Sequence, residues 1–360
     1  MSNGSKPGRE GISRRDAIKT GVAATAAGVL LLNSNDALSQ SSKQPPVQPP
    51  ANLDVPSSGP GHVVCVHKPG MMGRNYPHAQ PAKEMLEKAV QTLAGTSDTG
   101  AAFGKFIKKT DKVGIKINVL GGKFASSMKE VVMPIVEGVK AAGVPEENIM
   151  IFDQFGGNMR GARYKWQEKP GKLRVINHAV MGYQDEYTKT EGGGKGKLAK
   201  TLLWCTAIIN VPVLKDHDLA GITCAMKNMV FGCVERPPMM HTQFATALPH
   251  FYAHEAIRGR VKLTIADGSF CLFDQGPKNN PKANVPHECV YATTDPVAMD
   301  AICEEVVEKY RASKNMRTLK AVRRPVVHLK LAEQIGLGIG DRKKIRLETI
   351  ELSEFAAPKN

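Results

Sequence analysis

The chain has 360 residues, 42% of them hydrophobic and 23% charged, with a formal net charge of +15. That is a globular composition, with enough residues for one large or two small domains and their cores. The basic excess favours anionic partners; the lysines and arginines are dispersed and not interleaved with aromatics, so nucleic acid is not expected.

Near the start, Ser13-Arg14-Arg15-Asp16 precedes an apolar run from Gly21 to Leu32 and then Ala37-Leu38-Ser39. This pattern reads as a twin-arginine export signal over residues 1–39, cut after Ser39. The run has 12 residues, against about 20 for a spanning helix, so no transmembrane span is expected. Residues 1–39 carry five basic and three acidic side chains, so cleavage leaves a charge of +13. The twin-arginine machinery carries folded proteins. It predicts a periplasmic or otherwise extracytoplasmic address and points to a cofactor or metal taken up before export. Residues 40–61, rich in Pro, Ser and Gln, read as a linker.

Globular patterning begins with the apolar strand His62-Val63-Val64-Cys65-Val66. After Pro81, the residues Met85, Leu86, Ala89, Val90 and Leu93 fall at helical spacing. Val113 to Val119 (VGIKINV) alternates as a strand does. Val131, Val132, Ile135, Val136 and Val139 mark a second helix that Gly143 ends. Strands are predicted over 148–153 and 173–176. Gly192 to Lys197 lacks the phosphate-loop pattern and reads as a flexible hairpin tip.

Residues 206–214 (TAIINVPVL) predict one buried central strand. Another runs over 261–266 and ends at an Asp267-Gly268 turn, and a short one lies at 288–291. Asp295-Pro296 opens a helix to about Arg311 by its cap and first-turn proline. A last strand is predicted near 345–352. The alternation predicts an α/β fold over 62–355: a mainly parallel sheet with helices on both faces, in a single large domain or in two lobes.

Seven cysteines (Cys65, Cys205, Cys224, Cys233, Cys271, Cys289 and Cys303) contain no C-x-x-C spacing, so no iron–sulfur cluster is expected. Cys205, Cys271 and Cys303 sit in apolar stretches and read as core. Cys224 and Cys233 flank the densest polar motif.

In open α/β sheets, ligands bind beyond the carboxyl ends of strands. Three predicted strand ends are polar and glycine-rich. Lys116-Ile117-Asn118 runs into Gly121-Gly122-Lys123, and Asp153 into Gly156-Gly157-Asn158. The densest runs from Asn210 through Lys215-Asp216-His217-Asp218 to Lys227-Asn228. His217 is a candidate acid–base group. Lys215 and Lys227 can bind an anion or, when desolvated, act as nucleophiles. Lys116, Asn118, Asn210, Thr223, Asn228 and Asp267 are candidate cofactor-binding groups. The plainer reading has Asp216 and Asp218 simply pairing with the lysines on a loop.

The stretch N-x-P-x-x-K-x-H-x-x-A-G-x-T-x-x-x-K-N over 210–228 resembles the core motif of the domain-of-unknown-function family 362. VGIKINV, Asp267-Gly268, Gly276-Pro277 and Thr294 to Asp300 follow in the family's order. The resemblance implies a fold and a site without a reaction; the ferredoxin-type modules often found with the family have no counterpart here. His217 and Lys227, with Ala220-Gly221 between them, are also similar to the H-x-x-A-G-x-x-G-G-x-K motif of nickel-dependent lactate racemases. That likeness implies a proton-moving His217 and a Lys227 carrying a covalent nickel-pincer nucleotide. Cys224-Ala225 stand where the racemases have paired glycines, and the loop from Phe155 to Arg160 has no histidine.

His250 and His254, four apart on one predicted helical face, form with His241 a candidate metal-ligand set. The sequence therefore predicts an exported, cofactor- or metal-dependent enzyme acting on a small anionic ligand around His217 and Lys227. The alternatives are a non-catalytic metal- or anion-binding protein, or a subunit that joins a periplasmic redox partner.

Overall fold

The structure, a computed structural model, describes residues 59–357. The expected signal at 1–39 and all but the last three residues of the 40–61 linker lie outside the described residues. In strand β1 (His62–His67), Val63 and Cys65 face one apolar layer while Val64 and Val66 face another. This period-two division recurs along the sheet and explains why its strands read as nearly unbroken apolar runs.

Helices α1 (Ala79–Ala94) and α2 (Thr99–Gly104) lead to β2 (Val113–Lys116) and α3 (Lys129–Ala141). Strand β3 (Ile149–Asp153), the short α4 (Gly156–Gly161), β4 (Arg174–Asn177) and α5 (His178–Met181) follow. A two-stranded ribbon, β5 (Thr188–Lys189) with β6 (Lys195–Gly196), precedes α6 (Lys200–Trp204). Then come β7 (Ala207–Asn210), β8 (Val213–His217), β9 (Gly221–Thr223) and α7 (Ala225–Val230). The chain continues through α8 (Phe244–Ala253), α9 (Glu255–Arg258), β10 (Val261–Leu272) and β11 (Asn284–Thr293). It closes with α10 (Pro296–Ser313), α11 (His328–Gln334) and β12 (Arg346–Glu351).

The main sheet runs β12-β1-β11-β10-β7-β2-β3-β4, with β8 and β9 attached to β10. Successive strands from β10 through β7, β2 and β3 to β4 pair in parallel, as do β1 and β12; β11 runs antiparallel to both β1 and β10. Apolar residues of α1, α2 and α3 cover one face, and those of α7, α8 and α10 cover the other. The fold is therefore α/β with a mainly parallel sheet and helices on both faces. The described residues belong to one compact unit rather than two lobes. Among them, no helix is long and apolar enough to cross a membrane.

Three expected elements differ. The central strand expected over 206–214 is two strands, because Pro212 has no N–H for a ladder. Val211 N–H turns to Lys116 O at 2.8 Å, and Pro212 O accepts from Asp267 N–H at 2.9 Å. Asp267-Gly268 is not a turn: β10 continues to Leu272 with a bulge between Gly268 and Phe270. A Cβ at Gly268 would sit 2.9 Å from Leu214 Cδ1 and 3.0 Å from Tyr291 Cε2, so this crossing requires glycine. The expected glycine-rich tip is a hairpin packed on α8, with Thr246 Oγ1 donating to Gly192 O at 2.9 Å. By contrast, α10 begins as its sequence predicts. The Asp295 carboxylate accepts from Val297 and Ala298 N–H at 2.9 and 2.8 Å.

Candidate functional site

After β2 the chain builds outward through β3 and β4, then returns to place β7 on the other side of β2. The carboxyl ends of β2 and β7 thus flank a topological switch point, where open α/β sheets leave a crevice. Lys116 and Asn210 are register partners there, and both side chains are fully buried. The motif expected on a loop is a hairpin, β8 to β9, followed by the six-residue α7. It folds Lys215, His217, Thr223, Lys227 and Asn228 over that crevice.

Part of this set is internally saturated. Lys116 Nζ donates to Asp153 Oδ1 at 2.8 Å, Ile117 O at 2.7 Å and Asn228 Oδ1 at 3.2 Å. An ammonium has three protons, and all three are placed. Asn118 Nδ2 also donates to Asn228 Oδ1, at 3.0 Å, and Asn228 Nδ2 donates to Asn210 Oδ1 at 2.8 Å. Asn210 Nδ2 in turn holds Ala225 O at 2.9 Å. Lys116, Asn210 and Asn228 therefore tie α7 to the sheet and have little capacity left for a ligand. A Cβ at Gly232 would fall 2.6 Å from Lys116 Nζ, so the close packing of α7 on Lys116 depends on that glycine.

Other groups keep capacity. Lys215 Nζ donates to Asn118 Oδ1 at 2.7 Å and Ala125 O at 3.3 Å, which leaves one proton unplaced. Its partner across the hairpin, Thr223, has a buried hydroxyl without a hydrogen bond. Lys227 is 6% exposed and its amine makes no hydrogen bond; it lies 4.7 Å from the centroid of the Phe231 ring. Burial pushes Lys227 down to about 7. Burial, with Lys227 next in weight, pushes Lys215 down to about 7 as well.

His217 accepts at Nδ1 from Leu219 N–H at 3.1 Å and Ala220 N–H at 3.3 Å, which places its ring proton on Nε2. Asp218 also reaches Nδ1, at 2.9 Å. That carboxylate is 63% exposed and solvated, and the backbone donors already hold the nitrogen. Burial, then the Lys227 charge, lowers His217 to about 2, so the ring is neutral near pH 7. It stacks on His241 at 5.6 Å.

Asp216 and Asp218 do not pair with the lysines. Asp216 accepts from Gly276 N–H and from Arg324, which also binds Asp274 at 3.1 Å. Arg324 thereby braces β8 from behind. Asp267 accepts from Met128 N–H and Ser269 N–H, and burial raises it to about 6. It lines a small cavity with Lys215, Ser126 and Ser269.

The three histidines expected to share a metal are not arranged for it. Helix α8 ends at Ala253, and His254 turns out of it with ψ of 134°. His254 instead caps α9, its Nδ1 accepting from Ala256 N–H at 3.2 Å. His250 pairs with Glu191 at 3.7 Å, while His241 sits against His217 and Phe231. Among the described residues, no group of three or more His, Cys, Asp or Glu is placed to hold a metal. Cys224 and Cys233 are buried thiols that burial pushes well up, the behaviour of core residues.

Asp153, singled out in the sequence only as the polar end of a strand, is a site residue, and two further ones left no signal there. Asp153 anchors Lys116 and takes Val119 N–H at 2.7 Å; its signal was a carboxylate at the end of an apolar strand. His178 is buried between Thr201 Oγ1 and Gly232 O, each at 2.6 Å. Ser127 joins Asn118 N–H to Val211 O. Neither lies in a motif that spacing would single out.

The family described as Domain of unknown function (DUF362) matches residues 113–305, a span that holds the whole network except Arg324. No curated protein matches the chain. Among solved structures, the lactate racemase apoprotein from Thermoanaerobacterium thermosaccharolyticum is similar at 10% identity with a TM-score of 0.36. The match covers 71% of this chain and 58% of that one. A Thermotoga maritima protein solved as a structural-genomics target is similar at 11% identity with a TM-score of 0.37, over 73% of this chain and 60% of that one. The chain thus spans about three fifths of the length of these two structures.

Proposed function

The chain belongs to the domain-of-unknown-function family 362, and on that premise we propose that it is an exported, cofactor-dependent enzyme acting on a small anion. In this reading Lys227 is the covalent attachment point for an aldehyde- or ketone-bearing group, its amine condensing with the carbonyl to an imine with release of water. His217 moves a proton, and Lys215 with Thr223 receives the anion.

The observation that carries the reading is the Lys227 amine. It lies in a buried residue, makes no hydrogen bond, and burial lowers it to about 7, so a large share of it is unprotonated near pH 7. A largely desolvated amine is a nucleophile. A group bound there would supply an electron sink that side chains lack. An arriving carboxylate would favour the charged forms of Lys215 and His217, raising both from their low values. Binding would then load the proton that His217 delivers.

Intact-mass analysis of mature protein exported by its native host tests this. Extra mass mapping to the Lys227 peptide, absent in Lys227→Arg, is the expected result. A bare polypeptide mass would sink the covalent reading. Export is tested separately: Arg14→Lys with Arg15→Lys should leave the precursor in the cytoplasm on fractionation, and undiminished periplasmic protein would refute the twin-arginine address.

A further inference from the structure

Beyond the carboxyl ends of β3 and β4 lies a cavity of about 330 Å³, lined by Gly156, Gly157, Arg160, Tyr164, Trp166 and Asn177 among others. That is the lower range of small-molecule sites. Trp166 is 54% exposed, a large apolar surface that no packing explains. Tyr164 is buried and pinned by its hydroxyl, which donates to Ser127 O at 2.8 Å. It gives the groove a fixed aromatic lining.

The polar groups point the same way. Asn177 occupies the N-cap position of α5, where asparagine is favoured because its side chain caps the helix. Here the side chain makes no capping bond. A Cβ at Gly156 would run into Asn177 Nδ2, so glycine is what lets the carboxamide lie in the groove. At Gly157 a Cβ would meet nothing, consistent with open space on that side.

Arg160 is exposed and makes no ion pair among the described residues. Its neighbour Arg163 is fully engaged, bidentate to Glu130 at 2.7 and 2.6 Å. The nearby carboxylates are also taken: Glu168 by Arg174 at 3.0 Å, and Asp153 by Lys116 at 2.8 Å. The groove therefore presents one uncompensated guanidinium, an amide and an indole.

We infer that this groove binds a small planar aromatic anion. The ring would stack on Trp166, the anion would pair with Arg160, and the ring edge would meet Asn177. Stacking on an aromatic side chain is worth about 1–3 kcal/mol, and a guanidinium suits a phosphate or carboxylate. Two sources share this chemistry, a nucleoside monophosphate and an aromatic carboxylic acid. The inference does not depend on the role proposed for Lys227.

The chain has only two tryptophans, so Trp204→Phe leaves Trp166 as the sole indole reporter. Full-length exported protein of that background would be titrated with adenosine monophosphate and, separately, with 4-hydroxybenzoate, following fluorescence. A saturable change with the nucleotide alone identifies that source, and with the benzoate alone the other. In either case Arg160→Ala should weaken binding by about tenfold. Calorimetry on Trp166→Ala should show a comparable loss. Both side chains are exposed, so these variants should keep their fold. No saturable change with either compound at millimolar concentration, or binding indifferent to Arg160→Ala, would overturn the inference.

Discussion

Three lysines meet at the switch point, and their surroundings give them opposite roles. Lys116 has every proton placed and a carboxylate at 2.8 Å. Removing it would leave Asp153 as a buried charge with its cation gone. Lys116→Met should therefore destabilise the fold by about 3–5 kcal/mol, read as a fall in the urea midpoint. Lys227 has no such partner and is depressed from 10.5 to about 7. That depression corresponds to at most about 5 kcal/mol of unfavourable burial. Lys227→Met, of similar volume and without the amine, should raise the midpoint near pH 7 while abolishing any attached mass. Equal destabilisation by both substitutions would mean that Lys227 is a structural cation like Lys116, and the covalent role would fall with it.

Helix α7 has six residues, far too few to persist alone. It is held by the Asn228–Asn210 pair, by Asn210 on Ala225 O, and by the Asp300 carboxylate near Met226 N–H, which His328 orients at 2.9 Å. Asn228→Leu would unpair groups on Lys116, Asn118 and Asn210 together. A loss of about 2–4 kcal/mol is expected, with hydrogen exchange rising first in α7 and β9 rather than across the sheet. Uniform exchange would show that α7 is not separately tethered. This element also shows what sequence can and cannot reveal. The polar residues from Asn210 to Asn228 were legible as one site because they cluster at a strand end. Which of them are mutually satisfied was not, since that depends on Lys116 and Asp153 arriving from strands some 60–100 residues earlier. Pro212 was visible as a strand breaker, yet the apolar run around it masked the break. The bulge at Gly268 left no local mark, because the Asp267 carboxylate bonds within its own strand to Ser269 N–H. The histidine pair failed as a helical face for a similar reason: four-residue spacing assumes an unbroken helix, and His254 leaves it to cap the next one.

At the scale of the whole molecule, the buried titrating groups predict an unusual dependence of stability on pH. His217, His178 and His287 are lowered from 6.5 to about 2, 4 and 4, chiefly by burial. Below pH 6.5 the unfolded chain binds more protons at these sites, so stability falls as acid is added. Asp267 opposes them over part of that range. Raised from 3.8 to about 6, it makes the folded chain the better proton binder there, so its contribution is lost as pH rises through that window. Above pH 7 the two lysines dominate. Their folded values near 7 lie below the unfolded 10.5, so stability should climb as pH rises from 7. Buried thiols stop the climb. Cys205, Cys224, Cys233, Cys271 and Cys289 are all pushed up from 9.0, so near pH 9 the ionising thiols of the unfolded chain outweigh the lysines and stability falls again. The maximum should lie at about pH 8–9, above the usual span of about pH 5–8. Urea midpoints across that range read it directly. In a Lys215→Met, Lys227→Met double variant the rise between pH 7 and 9 should vanish while the acid limb remains. A wild-type maximum at or below about pH 6 would mean that both amines stay protonated in the folded protein, leaving Lys227 as a cation for an anionic ligand and not as a nucleophile.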